Sequence, residues 1–207
     1  MTKPCLVILG VPRSGTSAVA GVLHHLGVFM GEQFNRPNNA NPKGFFEDLE
    51  VVELHNKFLD NGKFPETTIL TEDTEKMSSY KEFARKRESL GRVWGFKDRL
   101  TPFVFHITKK HIDNLRIITT ERPFHESVCS WTTQFNVHVS TAKKDIADAL
   151  YARDMALSEF AGRVLRVSYH ELVNETEKTV KRIARFANVP ATKEAIDFID
   201  PKLWRCS

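Results

Sequence analysis

Ile8-Leu-Gly-Val-Pro-Arg-Ser-Gly-Thr-Ser17 sits where an apolar run, Cys5–Gly10, breaks into a glycine-bounded loop. Beyond the loop, Val19, Val22, Leu23 and Leu26 fall at i, i+3, i+4 and i+7, and Gly27 follows them. An apolar run, a short glycine-bounded loop and then a period near 3.6 predict strand, loop and helix, with the glycine as the stop. At such a junction the first backbone N–H groups of the helix have no intrahelical partner, and the helix dipole adds roughly half a positive charge. Both favour a phosphate. Gly15 permits close backbone approach, and the hydroxyls of Thr16 and Ser17 can donate to phosphate oxygens. The plainer alternative is a helix start capped by Ser14 or Thr16 with no ligand at all.

Working outward, Arg92–Lys97, Leu115–Thr120 and Val164–Tyr169 are further strand candidates. The first and third of the four runs are nearly continuously apolar, as in strands covered on both faces. Helical stripes lie between them: Val51, Leu54 and Phe58; Ile146, Leu150, Leu157 and Phe160; Val180, Ile183, Ala184 and Ala187. Strands alternating with helices predict an α/β fold with a mainly parallel central sheet. Ligands of such sheets sit beyond the carboxyl ends of the strands. Two segments carry no strong period. Glu32–Gly44 reads as a polar loop, and Asn61–Ser79 as an irregular connection or cover.

The 207 residues predict one domain over 1–207 with a sizeable core. A net charge of +4, with 41% hydrophobic and 27% charged residues, is ordinary soluble composition. It suits an anionic ligand, but lysine and arginine are scattered and no aromatic–basic stripe argues for nucleic acid. The first apolar run is short for a signal peptide, and nothing approaches the ~20 apolar residues of a membrane span. Cys5, Cys129 and Cys206 lack metal-ligand spacing and suggest neither a disulfide framework nor a zinc site. A cytoplasmic, reducing setting is therefore expected. His24 and His25, adjacent on one helix, point apart and read as surface or packing residues.

The loop departs from the triphosphate-binding pattern G-x-x-x-x-G-K-[ST], because Thr16 stands where that pattern places lysine. Arg13 instead lies inside the loop, where it can stabilise charge on a bridging oxygen. A second anchor follows the third strand. Arg122 ends that strand and Ser130 lies eight residues on, about two helical turns into a helix starting near Pro123. Arg122 can fork onto a second phosphate with Ser130 beside it, or pair with Glu121 or Glu126.

These residues resemble the sulfotransferase family, which uses 3′-phosphoadenosine 5′-phosphosulfate as donor. Its phosphosulfate loop P-[KR]-S-G-T-[ST] is similar to Pro12-Arg13-Ser14-Gly15-Thr16-Ser17, and its 3′-phosphate arginine and serine to Arg122 and Ser130. Asn41-Pro-Lys-Gly-Phe-Phe-Glu-Asp48, Trp94-Gly-Phe-Lys-Asp98 and Tyr169-His-Glu-Leu-Val173 resemble later family segments, in the right order. The resemblance implies three α/β/α layers of the P-loop nucleoside triphosphate hydrolase type. It also implies sulfuryl transfer to a small-molecule or glycan hydroxyl or amine, with no required metal. Here Arg13 replaces a common lysine, and Pro123 directly follows Arg122. The sequence lacks the Arg-Lys-Gly segment that the family's eukaryotic cytosolic members place on the 3′-phosphate, and Lys202 or Arg205 can substitute for it.

By the same resemblance Arg13 faces the bridging oxygen and Lys97 the sulfuryl oxygens, unless Lys97 pairs with Asp98. No histidine stands after Lys97. The closest counterpart of the family's glutamate base is Glu47, which Phe45 and Phe46 can desolvate and push toward the working pH. Asp98 is the alternative base. Asp48, and Glu47 with it, can instead serve as helix N-terminal charges. A small P-loop metabolite kinase and a non-catalytic nucleotide-binding module are the competing readings.

Overall fold

The computed structural model describes residues 2–59, 73–204 and 206. Its strands are β1 (Cys5–Leu9), β2 (Trp94–Phe96), β3 (Leu115–Glu121) and β4 (Arg163–Ser168). They form one sheet in the order β2-β1-β3-β4, and every pairing is parallel. The chain leaves β1 toward β2 on one side and later returns to β3 on the other. The carboxyl end of β1 is thus the place where crossovers diverge and a crevice opens.

Alternation along β1 divides the core. Cys5, Val7 and Leu9 face a cluster holding Trp94, Phe96, Phe83 and Phe105, while Leu6 and Ile8 face one holding Val19, Leu23, Val180 and Ile183. The first layer contains α2 (Leu49–Asn56), α3 (Thr74–Glu88) and α4 (Thr101–His111). The second contains α1 (Thr16–His25), α8 (Thr176–Ala187) and α9 (Lys193–Asp197). The result is three α/β/α layers. A third cluster joins α4 to α5 (Phe124–Phe135) and α6 (Val139–Ser158).

The observed strands match the expected runs to within a residue or two at each end. Four expectations need correction. Asn61–Ser79 was expected to be irregular; its first twelve residues lie outside the described residues, and Thr74 onward is α3, capped by Asp73. The α6 stripe is made of Ala142, Ile146, Ala149, Ala152 and Ala156, with Leu150 and Leu157 only at its margin. Small side chains let α6 approach α4 and α5 closely. Tyr169 begins a short helix, α7 (Tyr169–Asn174), rather than ending a strand. Finally, Cys129 and Cys206 form a disulfide, with Cys5 left as a buried free thiol. The 77-residue separation hides that pairing from any local spacing rule. Among the described residues no helix is long and apolar enough to cross a membrane.

Candidate active site

A cavity of about 410 Å³ lies at the carboxyl ends of β1, β2 and β3. Gly10, Arg13 and the first turn of α1 line one part of it, Arg122 and Ser130 another, and Glu47, Lys97 and Asp98 a third. All ten residues singled out by sequence reach this region: Ser14 lies buried beneath the loop, and the other nine border the cavity.

The loop is shaped by buried hydroxyls. Ser14 is fully buried; its Oγ donates to the Val11 carbonyl at 2.8 Å and lies 2.7 Å from Thr120 Oγ1. Ser14 therefore ties the loop to β3 and does not cap the helix. The cap position is Gly15, at φ 97° with no side-chain hydrogen bond. That left-handed backbone favours glycine, and a Cβ there would come within 2.5 Å of the Tyr169 ring. A Cβ on Gly10 would meet Thr120 Oγ1 at 2.2 Å. Both glycines are required by contact as well as by the phosphate pattern.

Arg13 adopts φ 67°. Its Nε donates to Ser130 Oγ at 3.0 Å and its Nη2 to the Ala40 carbonyl at 3.1 Å. The loop arginine thereby links the two anchors and the polar segment 32–44. Arg122 Nε donates to Glu126 at 2.9 Å, Nη1 to the Arg13 carbonyl at 3.1 Å and Nη2 to the Cys206 carbonyl at 3.2 Å. Its guanidinium lies 4.7 Å over the Tyr169 ring. Burial pushes the Glu126 carboxyl up, but the bonds and charges of Arg122 and His170 more than offset that and hold it below the usual range. The Glu126 pairing weighed for Arg122 is thus present, while Glu121 pairs with Arg166 instead. The chain's end reaches Arg122 through the Cys206 backbone; Lys202 is exposed in a single turn, and Arg205 lies outside the described residues.

At the other end Lys97 pairs with Glu47 rather than with Asp98. Lys97 Nζ donates to Glu47 Oε1 at 2.5 Å and to Ser17 Oγ at 3.3 Å, while Asn35 Nδ2 donates to Glu47 Oε2 at 3.0 Å. Glu47 is 9% exposed. Phe45 lines the cavity, whereas Phe46 packs with His24, Phe34 and Phe198. Asp48 caps α2 by accepting from the Glu50 N–H at 3.4 Å. Arg87 pairs with both Asp48 and Glu50 and stacks on Phe29 and Phe83. Burial nevertheless pushes the Asp48 carboxyl up, with Arg87 opposing it.

Asp98 is 4% exposed and accepts from the Leu100 N–H at 3.2 Å; its Oδ2 lies 2.7 Å from His55 Nδ1. Burial pushes its carboxyl up, but the His55 bond and charge, with Lys97, hold it below the usual range. Sequence reasoning missed Asn35, His55, Thr120 and Tyr169. Only Thr120 carried a local signal, as a hydroxyl ending an otherwise apolar strand. Among the described residues no group of three or more His, Cys, Asp or Glu side chains is placed to hold a metal.

A parallel sheet whose first strand feeds a glycine-bounded loop and helix start, with Arg122 and Ser130 one strand over, has the P-loop-like α/β arrangement. The sulfotransferase family model matches residues 4–193, and the chain belongs to that family. It is similar to the sulfotransferase domain of the Synechococcus PCC 7002 olefin synthase, at 18% identity and TM-score 0.64, over 98% of this chain and 86% of that one. A sulfotransferase from Alicyclobacillus acidocaldarius matches at 16% identity and TM-score 0.57, over 98% and 89%. A sugar kinase from Janibacter sp. HTCC2649 shares the fold at 14% identity and TM-score 0.50, over 95% and 98%. No curated protein matches the chain in sequence.

Proposed function

We propose that this transferase moves a sulfuryl group from 3′-phosphoadenosine 5′-phosphosulfate to a hydroxyl or amine of a small-molecule or glycan acceptor. One observation carries the reading. A single cavity joins two anion anchors, the α1 start and Arg122 with Ser130, to a buried carboxylate–ammonium pair, Glu47 and Lys97. The residues fit such a donor: Gly15 leaves the first-turn amides without a side-chain cap, and Arg122, held by Glu126 and the Arg13 and Cys206 carbonyls, lines the same cavity as Ser130. The donor supplies the sulfuryl group and a bisphosphate leaving group. The first turn of α1 would hold the 5′-phosphosulfate, and Arg122 with Ser130 the 3′-phosphate.

The rest of the chemistry falls to this chain's side chains. Lys97, between Ser17 and Glu47, is suited to neutralise charge on the transferring oxygens. Glu47 accepts the proton of the incoming hydroxyl or amine at a carboxylate oxygen, oriented by Asn35. Arg13, bonded to Ser130, keeps a cation within the loop beside the bond that breaks. Asp98 is the poorer base, because its carboxyl is committed to His55 and held below the usual range. A kinase reading lacks the loop lysine, since Thr16 occupies its position.

The experiment is transfer from 3′-phosphoadenosine 5′-phosphosulfate to a panel of alcohols, phenols and amines, with Glu47→Gln beside the wild type. Removing a general base lowers turnover by about 10²–10⁴-fold. A loss under ~10-fold contradicts the Glu47 assignment, and binding of the bisphosphate without turnover across the panel supports a non-catalytic module instead.

A further inference from the structure

We propose that His55 is a positioning residue for the Glu47–Lys97 pair, acting through Asp98. The role rests on the reading of Glu47 and Lys97 given above. Glu47 immediately precedes the cap of α2, and His55 lies near the end of that helix. Lys97 leaves β2, and Asp98 follows it directly. The 2.7 Å contact of His55 Nδ1 with Asp98 Oδ2 therefore ties together the two segments that deliver the carboxylate and the ammonium. Arg87 holds the other end of α2 through Asp48 and Glu50. The segment that carries Glu47 is clamped at both ends.

The polar contacts continue behind His55. Its ring is 0% exposed and stacks on Tyr80 at 6.0 Å. Tyr80 Oη lies 3.4 Å from His55 Nε2 and 2.6 Å from Thr108 Oγ1. Nδ1 donates to the Asp98 carboxylate and Nε2 meets the Tyr80 hydroxyl, so both ring nitrogens have partners, and Thr108 Oγ1 also reaches the Val104 carbonyl at 3.4 Å. The chain crosses an otherwise apolar layer of Phe58, Phe83, Phe96 and Val104. Burying polar groups there costs free energy that leucine or phenylalanine would avoid, and such networks specify one arrangement of the parts they join. Here the network ends at the cavity, on the residue next to Lys97. A frame that fixes one carboxylate–ammonium geometry matters most for turnover, because sub-ångström misplacement of reacting groups is costly.

The test uses three substitutions and one double variant, assayed with the donor and the best acceptor of the panel. His55→Leu removes the Nδ1 donor, Asp98→Asn keeps the shape of the acceptor without its charge, and His55→Asn keeps a donor where Nδ1 stood. His55→Leu and Asp98→Asn should lower kcat by about 10–100-fold while the affinity for adenosine 3′,5′-bisphosphate stays within ~3-fold, and His55→Asn should recover most of the loss. In a Glu47→Gln background, adding His55→Leu should cost under ~3-fold, because the geometry it protects has no remaining use. If His55→Leu does not fold, Asp98→Asn enters the same comparison. Multiplicative losses in the double variant, or a lowered unfolding temperature with kcat unchanged, overturn the positioning role alone. Glu47→Gln retaining turnover overturns the base assignment and the positioning role with it.

Discussion

The two ends of the cavity are built by different means. At the end proposed for the donor, backbone groups take many of the bonds: Gly15 is left-handed, Ser14 Oγ donates to the Val11 carbonyl, Arg13 to the Ala40 carbonyl, and Arg122, just past the end of β3, to the carbonyls of Arg13 and Cys206. At the end proposed for the acceptor, position is set by side-chain pairs drawn from distant segments: Asn35 and Lys97 on Glu47, His55 on Asp98, Arg87 on Asp48. A backbone cradle suits an invariant anion. A side-chain frame can change with the acceptor while the fold stays put. The comparison predicts that substitutions at the donor end change affinity and those at the acceptor end change turnover.

The largest effect expected outside Glu47 is at Arg122. Charge-assisted hydrogen bonds contribute roughly 1.5–3 kcal/mol, so Arg122→Ala should weaken adenosine 3′,5′-bisphosphate by about 10–150-fold. Adenosine 5′-monophosphate, which lacks the 3′-phosphate, should be affected far less; calorimetric titration of both nucleotides checks this. Equal losses for the two would mean that Arg122 supports the loop, through the Arg13 carbonyl, rather than a phosphate. Ser130→Ala should be milder, about 5-fold in bisphosphate affinity, from one neutral hydrogen bond. A fall in kcat at saturating donor would break the division between the ends, because Ser130 also holds Arg13.

The smallest effect concerns acid. The Asp98 carboxyl lies below its ordinary value of 3.8 in the folded chain, so its pairing stabilises the fold above that pH. That stability is lost as pH falls below 3.8 toward the lower folded value. Urea unfolding midpoints from pH 6 to 2.5 should therefore drop less steeply in Asp98→Asn than in the wild type. The donor-end Glu126 is held down in the same direction and contributes its own loss below 4.5. Parallel curves for the two proteins would show that Asp98 has no special partner.

The same contrast explains what the sequence made legible. Strand, loop and helix at Ile8–Ser17, and the Arg122–Ser130 spacing, are local patterns, and local patterns survive in one dimension. The α3 stripe of Tyr80, Phe83, Ala84 and Arg87 has helical spacing, but its fourth member is an arginine, so no apolar period stands out. Arg87 is buried because Asp48 and Glu50 neutralise it, which only the folded chain reveals. Lys97 beside Asp98 invited a neighbour pair, yet folding gives Lys97 to Glu47 and Asp98 to His55. The Cys129–Cys206 link is likewise long-range, and no spacing rule announces it.

The measurement that tests the two-ended site most directly is a competition titration of the wild-type protein. Adenosine 3′,5′-bisphosphate is compared with ATP–magnesium under the same conditions, with adenosine 5′-monophosphate as the reference. The account predicts that the bisphosphate binds at least ~10-fold more tightly than either, because only it reaches both the α1 start and the Arg122–Ser130 anchor. Tighter binding of ATP–magnesium, or no gain from the 3′-phosphate, would contradict it.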